Sequence, residues 1–467
     1  MIDPREARIA ELEAEVAALR AENAVLRKRL EQIEEKLGVN SSNSSMPPST
    51  DRGKNPNRTA GTKGGGGRPP GGQKGHRGTS RALLPAEQVD TIVNHTPDSC
   101  AGCGRRPPKS ALADPTRHQV LDLPRTKPLV IEHRCWAYAC RCGQTTRATL
   151  PADVPRGVCG PRLLATIALL TGVFRLSRRN AQRALSVLFG VDIALGTLSE
   201  AEQIVSESVR VADAGARAHV QNEPVLHMDE TSWRERRTGA WLWVAATSLV
   251  TVFMIAAGRG TQTAKQLLGR FSGTLVTDRL ATYGFWAISR RQVCWAHLIR
   301  TFCALAETTE GSIAHGIGSR LIAQTDKLFA AWHRVRDGTL TRAQFQLVMR
   351  PMRKEILALL REGASCGVLK VMSRCKGIYR HRRALFTFAR VDGVEPTNNQ
   401  AERALRHGVI LRKTSFGTHS AAGSRFLERM LTVTETLRQQ HRDVLEFLVD
   451  AVHAHFTQTR SPSLLPA

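Results

Sequence analysis

Between residues 223 and 306, apolar runs and turn residues follow an order that few folds can accommodate. EPVLHMDE (223–230) has the β-branched and aliphatic character of a strand and ends in two carboxylates. AWLWVAATS and VTVFMIAAG follow as a strand pair, TQTAKQLLGRF as a helix, and GTLVTDRLATYG as a strand with Asp278 at its end. RRQVCWAHLIRTFCAL then reads as a short strand running into a helix. The nineteen uncharged residues from Ala240 to Gly258 are long enough to span a bilayer. However, Thr247 and Ser248 sit at their centre, and a span would put Asp229 and Asp278 on opposite sides of the membrane. A buried hairpin and no membrane partner are therefore expected.

Three strands, a helix, a strand, a helix and a strand is the order of the ribonuclease-H-like α/β fold, in which the first and fourth strands are neighbours. Asp229 and Asp278 would then meet at adjacent strand ends, although capping aspartates are common at such places. A third acid is expected on a later helix. In TNNQAERALR, Thr397 and Gln400 form a candidate capping box that starts a helix near Asn398. Asn399, Glu402 and Arg406 share one face of that helix, and a solvated Glu402–Arg406 pair is the competing reading. Three carboxylates drawn from distant points of a chain suit two hard Mg²⁺ ions, which prefer oxygen ligands and support in-line phosphoryl displacement.

The 467 residues carry 67 Lys and Arg against 41 Asp and Glu, a formal net charge of +26. Such an excess favours a polyanion, foremost DNA, through counterion release, with a merely soluble basic chain or an anionic membrane surface as alternatives. Ten cysteines and a charged N-terminus without a secretory pattern point to a reducing, cytoplasmic setting. Residues 1–40 repeat in heptads, with Ile9, Val16, Asn23, Leu30 and Leu37 at a and Leu12, Leu19, Leu26 and Ile33 at d. A single Asn at a, with opposite charges at g and e′ (Glu15–Arg20, Glu22–Arg27, Arg29–Glu34), fits a parallel homodimeric coiled coil. Residues 41–82 are a Ser-, Pro- and Gly-rich basic linker, whose Arg68, Lys74 and Arg77 are candidate DNA contacts. Within 83–150, Cys100-x-x-Cys103-Gly and Cys140-x-Cys142-Gly form two candidate knuckles for Zn²⁺, and Cys135 is a possible substitute ligand. Residues 151–222 read as helix, Gly190 turn, helix, compatible with a DNA-reading helix-turn-helix or with two core helices.

HMDETSW, GTLVTDRLATYG, VCWAHLIRTF and NNQAERALRHGVILRKTSFGT, together with the NSS…PPS…GGQKGHRG linker and the Cys-x-x-Cys module, resemble insertion sequence 66 family transposases over nearly the whole chain. The resemblance implies a DDE transposase with Asp229, Asp278 and Glu402 as the Mg²⁺- or Mn²⁺-binding triad. Glu230, Asp392 and Glu395 are rivals for triad positions. It also implies element-end and target DNA as partners, small accessory proteins of the element, and a bacterial cytoplasmic location. The catalytic domain is expected at 223–412 with a helical insertion at 307–396, followed by a C-terminal helical segment at 413–467. Arg406, Arg412 and Lys413 are further candidate DNA contacts, and His297 is a candidate neighbour of metal or phosphate. A zinc-dependent DNA-binding regulator and a nuclease of the same fold remain as alternatives.

Overall fold

The computed structural model describes residues 81–107, 114–124 and 126–466, together with Val16, Glu22 and Asn23. The expected coiled coil, apart from those three residues, and the basic linker with Arg68, Lys74 and Arg77 lie outside the described residues. The chain divides into two units, residues 54–128 and the remainder. In the smaller unit, Leu84 is held at both its N–H (2.8 Å) and its carbonyl (2.9 Å) by the side-chain amide of Gln119.

The larger unit opens with a small antiparallel hairpin, β1 (Ala137–Ala139) and β2 (Thr145–Arg147). Four helices follow: α1 (Pro161–Ala168), α2 (Arg178–Phe189), α3 (Leu195–Ser208) and α4 (Arg210–Val220). Gly190 ends α2 in the left-handed conformation (φ 63°), which makes the expected helix–turn–helix. Both of those helices bury apolar side chains, Leu185 from α2 and Leu198, Ala201 and Val205 from α3, in a core shared with the main sheet. The stretch 151–222 thus packs as part of the same body as the strands that follow it.

That sheet contains β3 (Val225–Glu235), β4 (Thr238–Ala246) and β5 (Thr251–Ala256) as an antiparallel meander. After helix α5 (Thr261–Leu268), β6 (Thr274–Thr277) lies parallel to β3, and β7 (Arg291–Val293) lies parallel to β6. The strand order is β5-β4-β3-β6-β7. Where the sequence order predicts a helix between the fourth and fifth strands, the structure has two 3₁₀ turns, Ala281–Phe285 and Ile288–Arg290. The connection is short, and Tyr283 and Trp286 anchor it on the sheet core. Ala240–Gly258 is strand, turn and strand, and no helix among the described residues is long and apolar enough to cross a membrane.

Helix α6 (Trp295–Ala306) leads into the insertion, α7 (Ile313–Arg336), α8 (Arg342–Ser365) and α9 (Leu369–Arg380). These helices enclose a second apolar core built around Trp295, Phe302, Trp332, Phe345 and Phe388. The tail of the insertion closes one sheet edge: the Val293 N–H donates to the Ala384 carbonyl, and Gln292 bonds the backbone of Leu385 and Phe388. Helix α10 (Asn399–Ser415) covers β3 and β4, and α11 (Ala421–Gln439) and α12 (Val444–Thr457) complete the body.

Helix α11 closes the other edge. The outward N–H groups of Thr251, Phe253 and Ile255 on β5 donate to the side chains of Thr436 (3.1 Å), Thr432 (3.1 Å) and Glu428 respectively. Two residues of strand advance about 6.6 Å, and four residues of helix about 6 Å, so a helix acceptor at every fourth position meets every second strand donor. An edge that would otherwise expose unpaired donors is satisfied by side chains.

Helices α6 and α7 approach most closely at Gly318, where an added Cβ would stand 2.3 Å from the Ala306 amide nitrogen. Because that neighbour is backbone, Gly318→Ala should lower stability by about 2 kcal/mol through overpacking. Urea unfolding with an unchanged m-value would check this.

Candidate active site

Period two along β3 turns Asp229 and Glu230 to opposite faces of the sheet. Glu230 enters the interior, where it accepts from the Tyr283 hydroxyl (2.6 Å) and pairs with Arg259 (2.9 Å). Asp229 is half-buried and accepts only the Glu230 N–H (2.9 Å) among the bonds recorded for its carboxylate. Asp278 follows β6 directly and caps the next turn through the Leu280 N–H (2.8 Å). The backbone at Asp278 is fixed from below by Arg291 on β7, whose buried guanidinium donates to the Asp278 carbonyl (3.1 Å) and the Thr277 hydroxyl (3.2 Å).

Glu402 lies in the first turn of α10. Its Oε1 stands 3.8 Å from Cys294 Sγ and 3.7 Å from His297 Nδ1. Burial pulls the His297 imidazole below its usual range, against the opposing pull of Glu402 and Asp278, and its Nδ1 has no hydrogen-bond partner. Burial also pushes Asp229 well above the ordinary carboxylate range, and the charges of Glu230, Asp278 and Glu402 add to the effect. The three carboxylates expected from the sequence are therefore electrostatic neighbours. The rivals Asp392 and Glu395 are not among the groups that act on Asp229, and Asp392 pairs with Arg342 at the surface.

The start of α10 differs from the expected capping box. Asn398, not Thr397, is the N-cap, and its side chain makes no cap bond. Gln400 instead donates its amide to the Thr247 carbonyl. Asn398 is fully buried and joins three segments: its Nδ2 donates to the Met228 carbonyl (2.7 Å), its N–H to Cys294 Sγ (3.2 Å), and its carbonyl accepts the Glu402 N–H (3.1 Å). Its Oδ1 faces His227 Nδ1 at 3.2 Å. Since burial lowers His227 to about 4, the ring is neutral near pH 7 and Nδ1 carries the donating proton. Asn398 and His227 were invisible as partners in the sequence, because 171 residues separate them.

Of the candidate DNA contacts on α10, Arg406 is exposed and forms no ion pair with Glu402 among the described residues, so the competing solvated pair is absent. Arg412 donates through Nη1 to the Ser232 carbonyl (2.7 Å) and the Thr231 hydroxyl (3.2 Å), which pins α10 to β3. Lys413 is exposed.

Oxygen donors from Asp229, Asp278 and Glu402 suit Mg²⁺ or Mn²⁺. Among the described residues, the set of possible ligands with donor atoms within 4.8 Å of one another is Cys294, His297 and Glu402. Asp229 and Asp278 lie outside that set.

The two cysteine knuckles repeat one turn. Cys100 N–H bonds the Arg105 carbonyl and Gly104 N–H bonds the Cys100 carbonyl, both at 2.8 Å. In the second knuckle Cys140 N–H bonds the Gln144 carbonyl (2.8 Å) and Gly143 N–H the Cys140 carbonyl (2.9 Å), one residue shorter. Gly104 and Gly143 are both left-handed (φ 69° and 86°), which explains the glycine after each pair. The N–H groups of Gly102 and Cys103 hold the Cys100 thiol below its ordinary value, and Cys142 does the same for Cys140. Exposed thiols that ionise readily are suited to Zn²⁺.

Two outcomes follow for these sites. Asp229→Asn should stabilise the metal-free protein by about 1 kcal/mol. A raised carboxyl pKa makes wild-type stability highest in acid and lost as pH rises through the folded value. The advantage of the Asn variant should therefore grow as pH is raised from about 4, and Mg²⁺ should raise the melting temperature of wild type only. Melting curves over a pH series with and without Mg²⁺ provide the check. For the knuckles, Cys100→Ser should reduce the zinc retained after dialysis, as measured by elemental analysis.

Residues 97–143 match the zinc-finger binding domain of transposase IS66, and residues 1–82 match a family of unknown function (DUF6444). Among curated proteins, the chain is similar to two from Sinorhizobium fredii. The uncharacterized protein y4qI is 24% identical over 78% of this chain and 71% of its own length, and the uncharacterized protein y4hP 25% identical over 81% and 74%. Residues 156–425, more than half of the chain and including all three carboxylates, match the transposase IS66 family, and the protein belongs to that family.

Proposed function

We propose that this transposase cuts the DNA ends of its insertion sequence and joins them to target DNA at Asp229, Asp278 and Glu402, with two Mg²⁺ or Mn²⁺ ions held among them. The observation that carries this reading is the convergence of three distant segments. Asp229 on β3 and Asp278 after β6 each stand two residues past the last β3–β6 pair. Asp278 and Glu402, 49 and 173 residues away in the sequence, add to burial and Glu230 in raising the Asp229 pKa. Clustered like charges destabilise a fold and are retained where cations or reacting groups complete them. The strand order β5-β4-β3-β6-β7, antiparallel and then parallel, supports a ribonuclease-H-like catalytic domain.

Divalent ions bound there would supply Lewis acidity at the scissile phosphate and lower the pKa of a bound water. The protein's own part is positional. Asp229, two residues past the last β3–β6 pair, and Asp278, just beyond the end of β6, present oxygen donors from adjacent strands, and Glu402 presents a third from α10, whose start is tied to β3 by Asn398. His297, neutral beside Glu402, is placed to orient that carboxylate. Arg403 and Arg406 face solvent on α10 beside Glu402 and offer phosphate contacts. Water would attack the phosphodiester at the element end, and the freed 3′-hydroxyl would then attack target DNA, each in line. Two protomers joined by the N-terminal heptads would bring both ends into one complex.

Mg²⁺- or Mn²⁺-dependent cleavage and strand joining on cognate element ends tests the reading. Glu402→Ala should lose both products by at least about 10³-fold while still binding DNA, in keeping with the loss of a group needed in the transition state. Equal products from variant and wild type would remove Glu402 from the site. Cleavage without joining would identify a nuclease.

A further inference from the structure

Beyond β6 the sheet narrows to β3, β4 and β5 and, past the last β4–β5 pair at Trp241–Ala256, to the hairpin of β3 and β4. β6 pairs with β3 only at Val225–His227, whereas β3 and β4 stay paired to Glu235–Thr238. The two residues left in the turn are Arg236 and Arg237, both with positive φ (54° and 82°). Such a turn favours Asn and Gly, because a Cβ is disfavoured at both positions. Both arginines are exposed and make no ion pair among the described residues.

A second strained residue stands beside this tip. Phe416 ends α10 in the left-handed conformation (φ 59°), where glycine is the usual choice, and its side chain is 78% exposed. The loop that carries it is fastened to the hairpin. Arg236 N–H donates to the Thr418 carbonyl and Thr418 N–H to the Arg234 carbonyl, both at 2.9 Å, and the Trp233 indole donates to the Thr418 hydroxyl at 3.2 Å. Gly417 (φ 114°) permits the approach, since a Cβ there would stand 2.2 Å from the Arg234 carbonyl oxygen. The nearby Glu235 carboxylate accepts from the Ser424 hydroxyl and forms no ion pair with either arginine among the described residues. A rigid loop thus presents an exposed aromatic ring next to unpaired arginines, against local backbone preference at three positions. Strain of that kind persists where a side chain is needed for contact.

We infer that Phe416, Arg236 and Arg237 form a second DNA-contact point, with the arginines on backbone phosphates and the ring against the adjoining deoxyribose. The inference rests on the reading of Asp229, Asp278 and Glu402 as the place where DNA is cut. Seven strand residues from Asp229 to Arg236 span about 23 Å, and fourteen helical residues from Glu402 to Phe416 about 21 Å. At 3.4 Å per base step, the contact lies about six base pairs from the cleaved phosphate. The exposed Arg403, Arg406 and Lys413 on α10 lie along the way. Contact with the sugar–phosphate backbone carries no sequence information, so this point would grip DNA without reading it.

The test is binding of a fluorescein-labelled duplex of random sequence, roughly 30 base pairs long so that it spans the whole track, by anisotropy over a salt series. Replacing both arginines (Arg236→Gln with Arg237→Gln) should weaken binding and reduce the slope of log affinity against log salt by about 2. Phe416→Gly relieves the backbone, so its melting temperature should equal or exceed that of wild type, yet affinity should fall about fivefold or more with the slope unchanged. Wild-type binding by both variants overturns the inference. So does a Phe416→Gly protein that keeps its DNA affinity but changes oligomeric state in sedimentation, because the ring would then be a protein contact. Glu402→Ala separates the two readings: it should bind the duplex like wild type, and cleavage by it would refute the catalytic assignment while leaving the binding result to judge the tip.

Discussion

The side chain of Asn398 is the junction on which the relative position of Asp229 and Glu402 depends. A carboxylate on a helix and a carboxylate on a strand keep a fixed separation only if the two elements cannot slide. The Asn398 amide fixes α10 to the carbonyl one residue before Asp229, and its backbone carries the N–H that meets Cys294 and the carbonyl that receives Glu402. The amide orientation is itself determined, because donation to Met228 leaves only the oxygen to face neutral His227. At the far end of the same helix, Arg412 repeats the attachment to β3 at Thr231 and Ser232. In between, Gly408 lets the helix settle on Leu242, whose Cδ2 would stand 2.3 Å from an added Cβ. A helix held at both ends and pressed flat in the middle delivers Glu402 without depending on loop order.

The sheet on which this rests is closed at both edges by groups from distant sequence, side chains at β5 and mainly backbone at β7. On β5 the acceptors are Glu428, Thr432 and Thr436 of α11, and on β7 the partners come from residues 384–388 at the end of the insertion. A five-stranded sheet with open edges would invite pairing with other chains. The insertion therefore has a structural part independent of any contact with DNA, since without its tail Gln292 and Arg291 would lose the partners that brace the strand beneath Asp278.

Much of this was legible in the sequence wherever the signal was local. Strand periodicity marked β3, β4 and β5, Asp278 fell at a strand end and Glu402 on a helix, and each cysteine knuckle carried its own glycine. By contrast, β3 runs on to Glu235 through its pairing with β4 and leaves Asp229 mid-strand instead of at the end. What escaped was settled by partners far along the chain. Thr397 and Gln400 have the spacing of a capping box, but Thr247 offers Gln400 a carbonyl and Asn398 is drawn to Met228, so tertiary contacts override the local motif. Arg412 reads as a surface cation until β3 supplies acceptors for it. The Thr–Thr–Glu ladder of α11 resembles an ordinary polar helix face, because its meaning depends on a strand 173 to 185 residues away.

The pair Asp229–Glu230 shows how one local sequence yields two chemically different carboxylates. Burial raises the proton affinity of both, so desolvation does not distinguish them. Their partners do. Glu230 faces inward and is offered the Tyr283 hydroxyl and the Arg259 guanidinium, which draw its pKa back down and leave its charge compensated. That guanidinium also lies over the Trp241 ring, 4.5 Å from its centroid, so the compensating cation is held in place. Asp229 faces the other way and gains one backbone N–H, while Asp278 and Glu402 press further negative charge upon it. Strand alternation separates a carboxylate that is already satisfied from one that is not. Only the unsatisfied one has a reason to take up a cation, and Asp278 and Glu402 are the carboxylates whose charge reaches it uncompensated, among the described residues, by a partner such as Arg259.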